Sequence, residues 1–466
     1  MAEMIFSGAA RRTTGSLHLF RHQGKTLCLE CGLFQGRREE ARQLNLHLPP
    51  EARDIDAVVV SHAHIDHTGR LPLLVKAGYR GPIYCTPATL DLCRIMLPDS
   101  AHIQEEDADF WNRKRAQNGD RIEPLYTAQD ARAVEPLLRP MECGTPREVL
   151  PGVTVTLLEA GHILGSTMVL LEYRQNAQPR RLLFSGDVGR FDQPILRDPV
   201  EPPPQADYLL TECTYADRRH DDIAGMQERL CRIIQQTVQA GGKVIIPAFS
   251  VGRTQSVVYF LEQLFRQGRL KPLPVYVDSP LSAQATEVFA RHPECYDAQA
   301  TDFWRSQGEL LSDGRFIHYI TDVADSKALN GRPESCVILS ASGMCESGRI
   351  LHHLKNNIED ERNTVVVVGF MAQHTLGRRI VERREELKIY GRAYRLLAKV
   401  EVLNGFSAHA DAAEFRRLYA PIAPKLRGAF VVHGEDRQPI AMQELLDSLG
   451  CHKSQTPQAG QHVTLD

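Results

Sequence analysis

Four side chains that bind transition metals fall within six residues, His62-Ala63-His64-Ile65-Asp66-His67, directly after the apolar run Ala57-Val58-Val59-Val60. Imidazole and carboxylate are donors that zinc and similar borderline cations accept, so the chemistry on offer here is metal binding. His62 and His64, two apart, can converge on one ion, whereas Asp66 and His67 more naturally face a second. One closed tetrahedral site made of these four alone is strained for near-adjacent residues; the alternative is two open sites that each need ligands from elsewhere. Three later loops carry candidates: Gly161-His162-Ile163-Leu164-Gly165, Ser185-Gly186-Asp187 and Val432-His433-Gly434. Each sets a polar side chain past an apolar, strand-like run and beside glycine, where the chain can turn sharply. His162 would complete the first site and His433 would serve the second, while Asp187 could bridge both ions through its two oxygens. Any one of these residues is adequately read as a hydrogen-bonded loop residue; together they fill two open coordination shells.

The elements that must position these loops alternate. Strand-like runs at Leu27–Glu30, Ala57–Val60, Pro82–Cys85, Val153–Leu158 and Leu182–Phe184 precede the loops just named. A proline-rich break, Glu201-Pro202-Pro203-Pro204, is a candidate domain boundary. Beyond it the rhythm is regular: strand Tyr208–Leu210, helix Met226–Ala240, strand Lys243–Ile246, helix Thr254–Arg266, strand Pro274–Val277. Met226, Leu230, Ile233, Ile234 and Val238 recur at helical spacing, and Gly241-Gly242 supplies a stop. The pattern is βαβ, so a parallel sheet covered by helices is expected, resuming at Cys336–Leu339 and Thr364–Val368 before the chain reaches a further apolar run at Val400–Leu403. Residues 291–330 lack a clear period and receive no assignment.

Length and composition set the frame. A chain of 466 residues, 42% hydrophobic and 24% charged, suits two or three soluble globular domains. The net charge of −3, from 55 basic and 58 acidic residues, excludes polyanion binding by bulk charge, so nucleic-acid contacts would need local patches. Arg113-Lys114-Arg115, Arg218-Arg219-His220 and the helix-like run Arg378–Arg384 are candidates, each read more readily, when taken alone, as a solvated face than as a binding surface. The first residues carry no stretch of signal-peptide character and no long apolar run follows, so a cytoplasmic location is expected. Eleven cysteines, an odd number, suit reduced thiols, and Cys28 and Cys31 are read as structural because no second C-x-x-C pair completes a zinc ribbon.

The motif His62 to His67, with His162 and Asp187, resembles the metallo-β-lactamase superfamily. The likeness extends to the β-CASP nucleases, among them the bacterial and archaeal homologues of the nuclease subunit of the cleavage and polyadenylation specificity factor. Glu212, in Thr211-Glu212-Cys213-Thr214-Tyr215, resembles the first motif added in that group, His409 in Phe406-Ser407-Ala408-His409 the second, and His433 the third. Gly8-Ala9-Ala10-Arg11, Thr14-Gly15-Ser16 and Gly32-Leu33-Phe34-Gln35-Gly36 also look like the family, so the match spans nearly the whole chain.

The implied fold class is α/β, a metallo-β-lactamase αββα sandwich with an inserted parallel-sheet α/β β-CASP domain. The expected boundaries are 1–205 for the first part of the metallo-β-lactamase domain, 206–389 for the insertion and 390–466 for the C-terminal part. The implied metal ligands are His62, His64, Asp66, His67, His162, Asp187 and His433, holding two zinc ions, with manganese as an alternative. Asp66, His409 and Glu212 are the implied catalytic residues: a hydroxide shared by the two ions attacks phosphorus, and His409, kept charged by Glu212, protonates the leaving oxygen in a cleft between the domains. The plainer role for the His409/Glu212 pair is an interdomain hydrogen bond. Turns bearing Ser342-Gly343 and Thr375-Gly377 could cradle phosphates with backbone N–H groups, and Arg253 and Gln255 could touch the strand.

In this family, histidine at the third added motif goes with RNA-acting members, so His433 points to single-stranded RNA. The chain stops soon after His433, which makes endonucleolytic rather than 5′-3′ exoribonuclease action the expectation. Competing readings are a superfamily hydrolase of a small thioester or lactone, and a non-catalytic RNA-binding scaffold. No membrane partner is expected, and the oligomeric state, a homodimer included, is left open. Glu30 stands where the family usually has Asp, Cys213 and Ala216 replace the usual Ser and Gly, and His374 occupies a position commonly Gly, whose loop conformation is thereby in question.

Overall fold

The computed structural model describes residues 1–114, 121–307, 311, 314–369, 371 and 374–466, so Arg115 of the first basic run and Gln373 beside His374 lie outside the described residues. Two compact units are formed. One comprises Met1–Phe191, Asp198–Arg219 and His409–Asp466; the other comprises Asp192–Arg197 and His220–Ala408.

The first unit is a two-sheet sandwich. In one seven-stranded sheet the order is Gln461–Leu465, Ala2–Phe6, His18–His22, Lys25–Leu29, Ala57–Val59, Ile83–Cys85, Leu138–Pro140, antiparallel at the first end and parallel from Lys25–Leu29 onward. The other runs Ser454–Gln455, Gly428–Val431, Tyr208–Thr211, Gln178–Phe184, Thr167–Gln175, Val153–Glu159, Arg147–Leu150. Strand periodicity decides what fills the space between them. Leu27, Leu29, Ala57 and Val59 from the first sheet meet Val153, Val155, Leu157, Val169, Leu171, Leu182, Phe184 and Leu210 from the second in one buried cluster. The alternate residues Met168, Leu170, Leu183, Leu209 and Val431 turn to the opposite face, where Phe415, Leu418 and Tyr419 of the helix Ala412–Tyr419 and Met442, Leu445 and Leu446 of the helix Gln438–Ser448 cover them. Asp411 starts the first of these helices with a capping box, its carboxylate accepting from Ala413 and Glu414 N–H groups while Glu414 reaches back to its own.

The second unit is a six-stranded, wholly parallel sheet in the order Ile317–Tyr319, Val275–Asp278, Val337–Ser340, Val244–Pro247, Thr364–Val367, Lys399–Val402. Its four inner strands are buried throughout, as their near-continuous apolar runs require, and Ile350, Leu354, Leu376 and Ile380 from the helices Ile350–Asn357 and Leu376–Val381 close one core cluster. Residues left unassigned by pattern supply the helix Ala298–Gln307, the edge strand Ile317–Tyr319 and the short helix Val323–Ala328.

Two expected boundaries are corrected. The strand at Tyr208 is not the first of the inserted sheet: it pairs in parallel with Gln178–Phe184 and Gly428–Val431, so the proline-rich segment lies within the first unit and the insertion begins near His220. At the other end the chain stays in the second unit to Ala408, because Lys399–Val402 adds an edge strand beside Thr364–Val367. In both places a short strand fits either sheet by pattern, and only pairing assigns it. No helix among the described residues is long and apolar enough to cross a membrane. None of the eleven cysteines, all of them among the described residues, is in a disulfide; Cys28 and Cys31 are buried, and burial first of all pushes both thiols upward, Cys31 to about 12, which suits inert structural residues.

Candidate metal centre

The histidine-rich motif begins where the strand Ala57–Val59 ends and closes into a four-residue helix, Ile65–Thr68. Neighbouring loops clamp its backbone: Ser16 N–H donates to Asp66 O at 2.9 Å, Cys31 N–H to His67 O at 2.8 Å and Leu33 N–H to Ile65 O at 2.9 Å. Arg70 is fully buried and ties the same region from below, its Nε donating to Gly32 O at 2.5 Å with the guanidinium over the Phe34 ring at 4.7 Å. The unusual residues of the Gly8–Gly36 region therefore serve to hold the motif.

The seven expected ligands gather into two groups sharing Asp187. In the first, His64 Nδ1 lies 3.1 Å from His62 Nε2 and 3.2 Å from His162 Nε2, and Asp187 Oδ2 lies 3.5 Å from each of those Nε2 atoms. A tetrahedral zinc ion with bonds of about 2.0–2.2 Å separates its ligands by roughly 3.3–3.6 Å; the two Asp187 distances fall in that range and the two between ring nitrogens lie just below it. His64 Nδ1 faces two ring nitrogens at once, and a single N–H can bridge to only one; a cation satisfies all three. In the second group His67 Nε2 lies 3.2 Å from His433 Nε2, 3.3 Å from Asp187 Oδ2 and 3.8 Å from Asp66 Oδ2, with 3.4 Å between His433 Nε2 and Asp66 Oδ2. Asp187 Oδ2 thus stands within 3.5 Å of nitrogens from both groups. Asp187 Oδ1 is buried and receives no hydrogen bond. The residues present fit a pair of divalent cations.

Outer partners set the rings. Ser61 Oγ lies 2.9 Å from His62 Nδ1 and Thr214 Oγ1 lies 3.1 Å from His433 Nδ1, leaving each Nε2 for the centre. Glu30, the departure from the family pattern, accepts Ser61 N–H at 2.8 Å and sets its other oxygen 3.5 Å from His67 Nδ1. The longer acid, at φ +67°, supports the loop through Ser61, while its other oxygen and His67 Nδ1 are both buried without a hydrogen bond. Ser61 and Thr214 were missed by sequence reasoning, their only signal being that Ser61 precedes His62 and Thr214 lies two residues past Glu212.

Charge follows geometry. Burial first, then the neighbouring imidazoles, holds His62 well below its ordinary pKa, and burial puts His64 at about 4, so both are neutral and ready to ligate. Burial opposes charge on His67 and His433 too, but Asp187 and Asp66 outweigh it and raise both. His62, His67, His162 and Asp187 are 0–2% exposed in their side chains, whereas Asp66 and His409 keep 20% and 21%. Solvent reaches the centre past Asp66 and His409.

His409 Nδ1 lies 3.2 Å from Glu212 Oε1, an oxygen that also accepts Val188 N–H at 2.7 Å, while Glu212 Oε2 accepts Thr214 N–H at 3.2 Å. Burial opposes a charged His409, yet Glu212, by charge and by hydrogen bond, lifts it above the ordinary value. Both residues belong to the first unit, so the pair is not an interdomain bond.

The expected substrate-binding residues all lie in the second unit, at the carboxyl ends of its strands. Three are corrected. The Leu376 N–H is taken by Glu346 Oε1 at 2.5 Å and the Gly377 N–H by Met344 O at 3.1 Å, while Thr375 Oγ1 accepts the Arg378 N–H at 3.1 Å, so this turn has no backbone donors left at those positions for a phosphate. Gly377 is required by packing instead: a Cβ there would stand 2.2 Å from Met371 Sδ. Gln255 is wholly buried, its amide donating to Ser250 O and Thr286 Oγ1. His374 takes φ +70°, so the loop keeps the left-handed conformation expected of the glycine it replaces. Arg253 sends Nη1 to Val368 O at 2.8 Å, and Ser342 Oγ accepts Glu346 N–H at 3.2 Å.

Similarities to known proteins cover the same two units. Residues 31–245 match the beta-lactamase superfamily domain, 254–380 the Beta-Casp domain, and 393–457 the Zn-dependent metallo-hydrolase RNA specificity domain. Ribonuclease TTHA0252 of Thermus thermophilus is 35% identical over 444 residues, covering 94% of each chain. The transcription termination factor FttA of Methanosarcina mazei is 30% identical over 92% of this chain, which spans 66% of that protein. Among solved structures, a protein of unknown function from Enterococcus faecalis V583 shares the fold, with a TM-score of 0.57 at 12% identity and full coverage of both chains.

Proposed function

Since the chain belongs to the β-CASP family of metallo-β-lactamase-fold hydrolases, we propose that it is a metal-dependent ribonuclease cutting single-stranded RNA internally. The observation that carries the reading is the two ligand groups joined at Asp187, with the His409–Glu212 pair at their solvent-facing side. His62, His64 and His162 would hold one zinc ion, Asp66, His67 and His433 the other, and Asp187 both. Bound there, the two ions supply a water acidified from a pKa near 16 to roughly neutral, and positive charge against the phosphodiester's non-bridging oxygens.

The remaining work falls to the chain itself. His409 has Nδ1 committed to Glu212, so Nε2 is the atom that delivers a proton to the departing 3′-oxygen. Glu212, held by two backbone N–H groups, orients that ring and sustains its charge. Asp66, partly exposed beside His409, both ligates and faces the reacting phosphate. Arg253, Ser342 and Gly343 are proposed to contact the strand. The ribonuclease name of the Thermus relative and the match to an RNA specificity domain support RNA over a thioester or lactone.

The test is incubation of the purified, zinc-loaded protein with single-stranded RNA labelled separately at each end, beside matching DNA, with and without chelator and with Asp187→Ala. Internal fragments from RNA, lost with chelator and with the variant, are expected. Mononucleotides released stepwise from the 5′ end would replace the endonuclease by an exonuclease, and thioester turnover with inert RNA would overturn the reading.

A further inference from the structure

The parallel sheet of the second unit changes direction between two adjacent strands. Val244–Pro247 leads through the helix Arg253–Arg266 to Val275–Asp278, which lies beyond Val337–Ser340. Val337–Ser340 leads through the helix Ile350–Asn357 to Thr364–Val367, which lies beyond Val244–Pro247 on the other side. Chains leaving neighbouring strands in opposite directions open a crevice at their carboxyl ends, where open α/β sheets bind ligands.

Phe249 stands at that crevice, two residues past Pro247, and is 45% exposed although Ala248 just before it and Val251 two residues after it are 1% and 4% exposed. The turn after the other strand supports it: a Cβ on Gly343 would come within 2.9–3.1 Å of three ring atoms, so the glycine lets the ring rest directly on backbone. The surroundings favour an anion attached to whatever covers the ring. Neither helix leaving these strands has an acidic residue in its first turn, and the first of them opens with Arg253, anchored to Val368 O. Glu346, in the turn that carries Gly343, is engaged by the Leu376 N–H. A planar apolar surface, backed by peptide and with the Arg253 guanidinium on the helix that follows it, suits a nucleotide.

We propose that Phe249 is the stacking platform for one nucleobase of the bound RNA strand, seated by Gly343, with Arg253 on the phosphate side; the assignment rests on the ribonuclease reading. The test measures binding of a labelled single-stranded RNA to the metal-loaded full chain on ice, in a His409→Ala background that holds cleavage back. Phe249→Ala and Phe249→Leu should each weaken binding by about ten- to a hundredfold, the usual value of one base–aromatic stack. Phe249→Trp should retain it. Leucine keeps the apolar contact with Gly343 but has no aromatic face, so it separates stacking from packing. RNA with a single abasic site, moved along the strand, should show one position whose loss matches that of Phe249→Ala and adds nothing to it. Wild-type affinity in Phe249→Leu, or an abasic penalty that persists undiminished in Phe249→Ala at every position, would overturn the stacking role while leaving the ribonuclease reading intact. RNA neither bound nor cut by the unmodified chain would overturn both.

Discussion

Removing the imidazole of His409 should separate proton delivery from metal binding. In His409→Ala the Glu212 carboxylate keeps the Val188 and Thr214 N–H groups, so its burial stays compensated, and a side chain already 21% exposed leaves a fold cost of about 1 kcal/mol or less. His409 Nδ1 lies 4.0 Å from Asp187 Oδ2 and the residue belongs to neither ligand group, so two equivalents of zinc should remain after dialysis. General-acid assistance contributes a factor of about 10² to 10⁴, or roughly 3–5 kcal/mol of barrier, and RNA cleavage under single turnover should fall by that much. An alkoxide needs the proton and a nitrophenolate does not. Turnover of bis(4-nitrophenyl) phosphate by the same variant should therefore stay within about fivefold of the unaltered protein, since the acid's factor no longer applies. An equal fall on both substrates, or loss of one zinc equivalent, would refute the assignment and make His409 a support of the centre.

Other consequences can be measured alongside. Thr214→Val removes the partner of His433 Nδ1, and competition with a chelator should show one zinc equivalent bound about 10- to 100-fold more weakly while the other is unchanged. His18 is buried between the Phe6 and Phe184 rings, and burial, followed by the charges of His67 and His433, lowers it to about 3. Its folded pKa lies below the unfolded one, so the unfolded chain binds the extra proton and stability is lost as pH falls from about 6.5 toward 3; between pH 7 and 5 the loss is about 2 kcal/mol, which His18→Leu should abolish in urea titrations. Gly377→Ala forces a Cβ against Met371 and Met344, and calorimetry should find about 1–3 kcal/mol of destabilisation, since overpacking rather than phosphate binding is at stake. Zinc added to the stripped protein at a hundred times its Kd should stabilise it by about 2.7 kcal/mol per site, seen as a rise in Tm.

Much of the centre could be read from local order because its chemistry is local. His62 to His67 sit in one short stretch of chain, and donor type together with spacing suffices to group His62 with His64 against Asp66 with His67. Strands and helices near the core were legible for the same reason: period-2 and period-3.6 patterns report which face is buried, as in Val153, Val155 and Leu157 or in the helix Ile223–Gln239. Substrate contacts were less legible, because a glycine before a helix looks alike whether its N–H is free or already taken by Met344 O, and a glutamine looks alike whether it faces a strand or is buried as Gln255 is.

Residue identity and order were enough to establish which groups can ligate metal, that a parallel sheet follows, and that the chain resembles β-CASP nucleases. Folding was needed to bring His433 Nε2 within 3.2 Å of His67 Nε2 across 366 residues, to select Nδ1 rather than Nε2 of His64, and to assign Tyr208–Thr211 to the sandwich. It also rests Phe249 against Gly343. The physical reason is one of range: side-chain chemistry and periodic burial are properties of neighbouring residues, whereas ligand geometry, strand pairing and the fate of each N–H depend on partners that only chain reversal brings together.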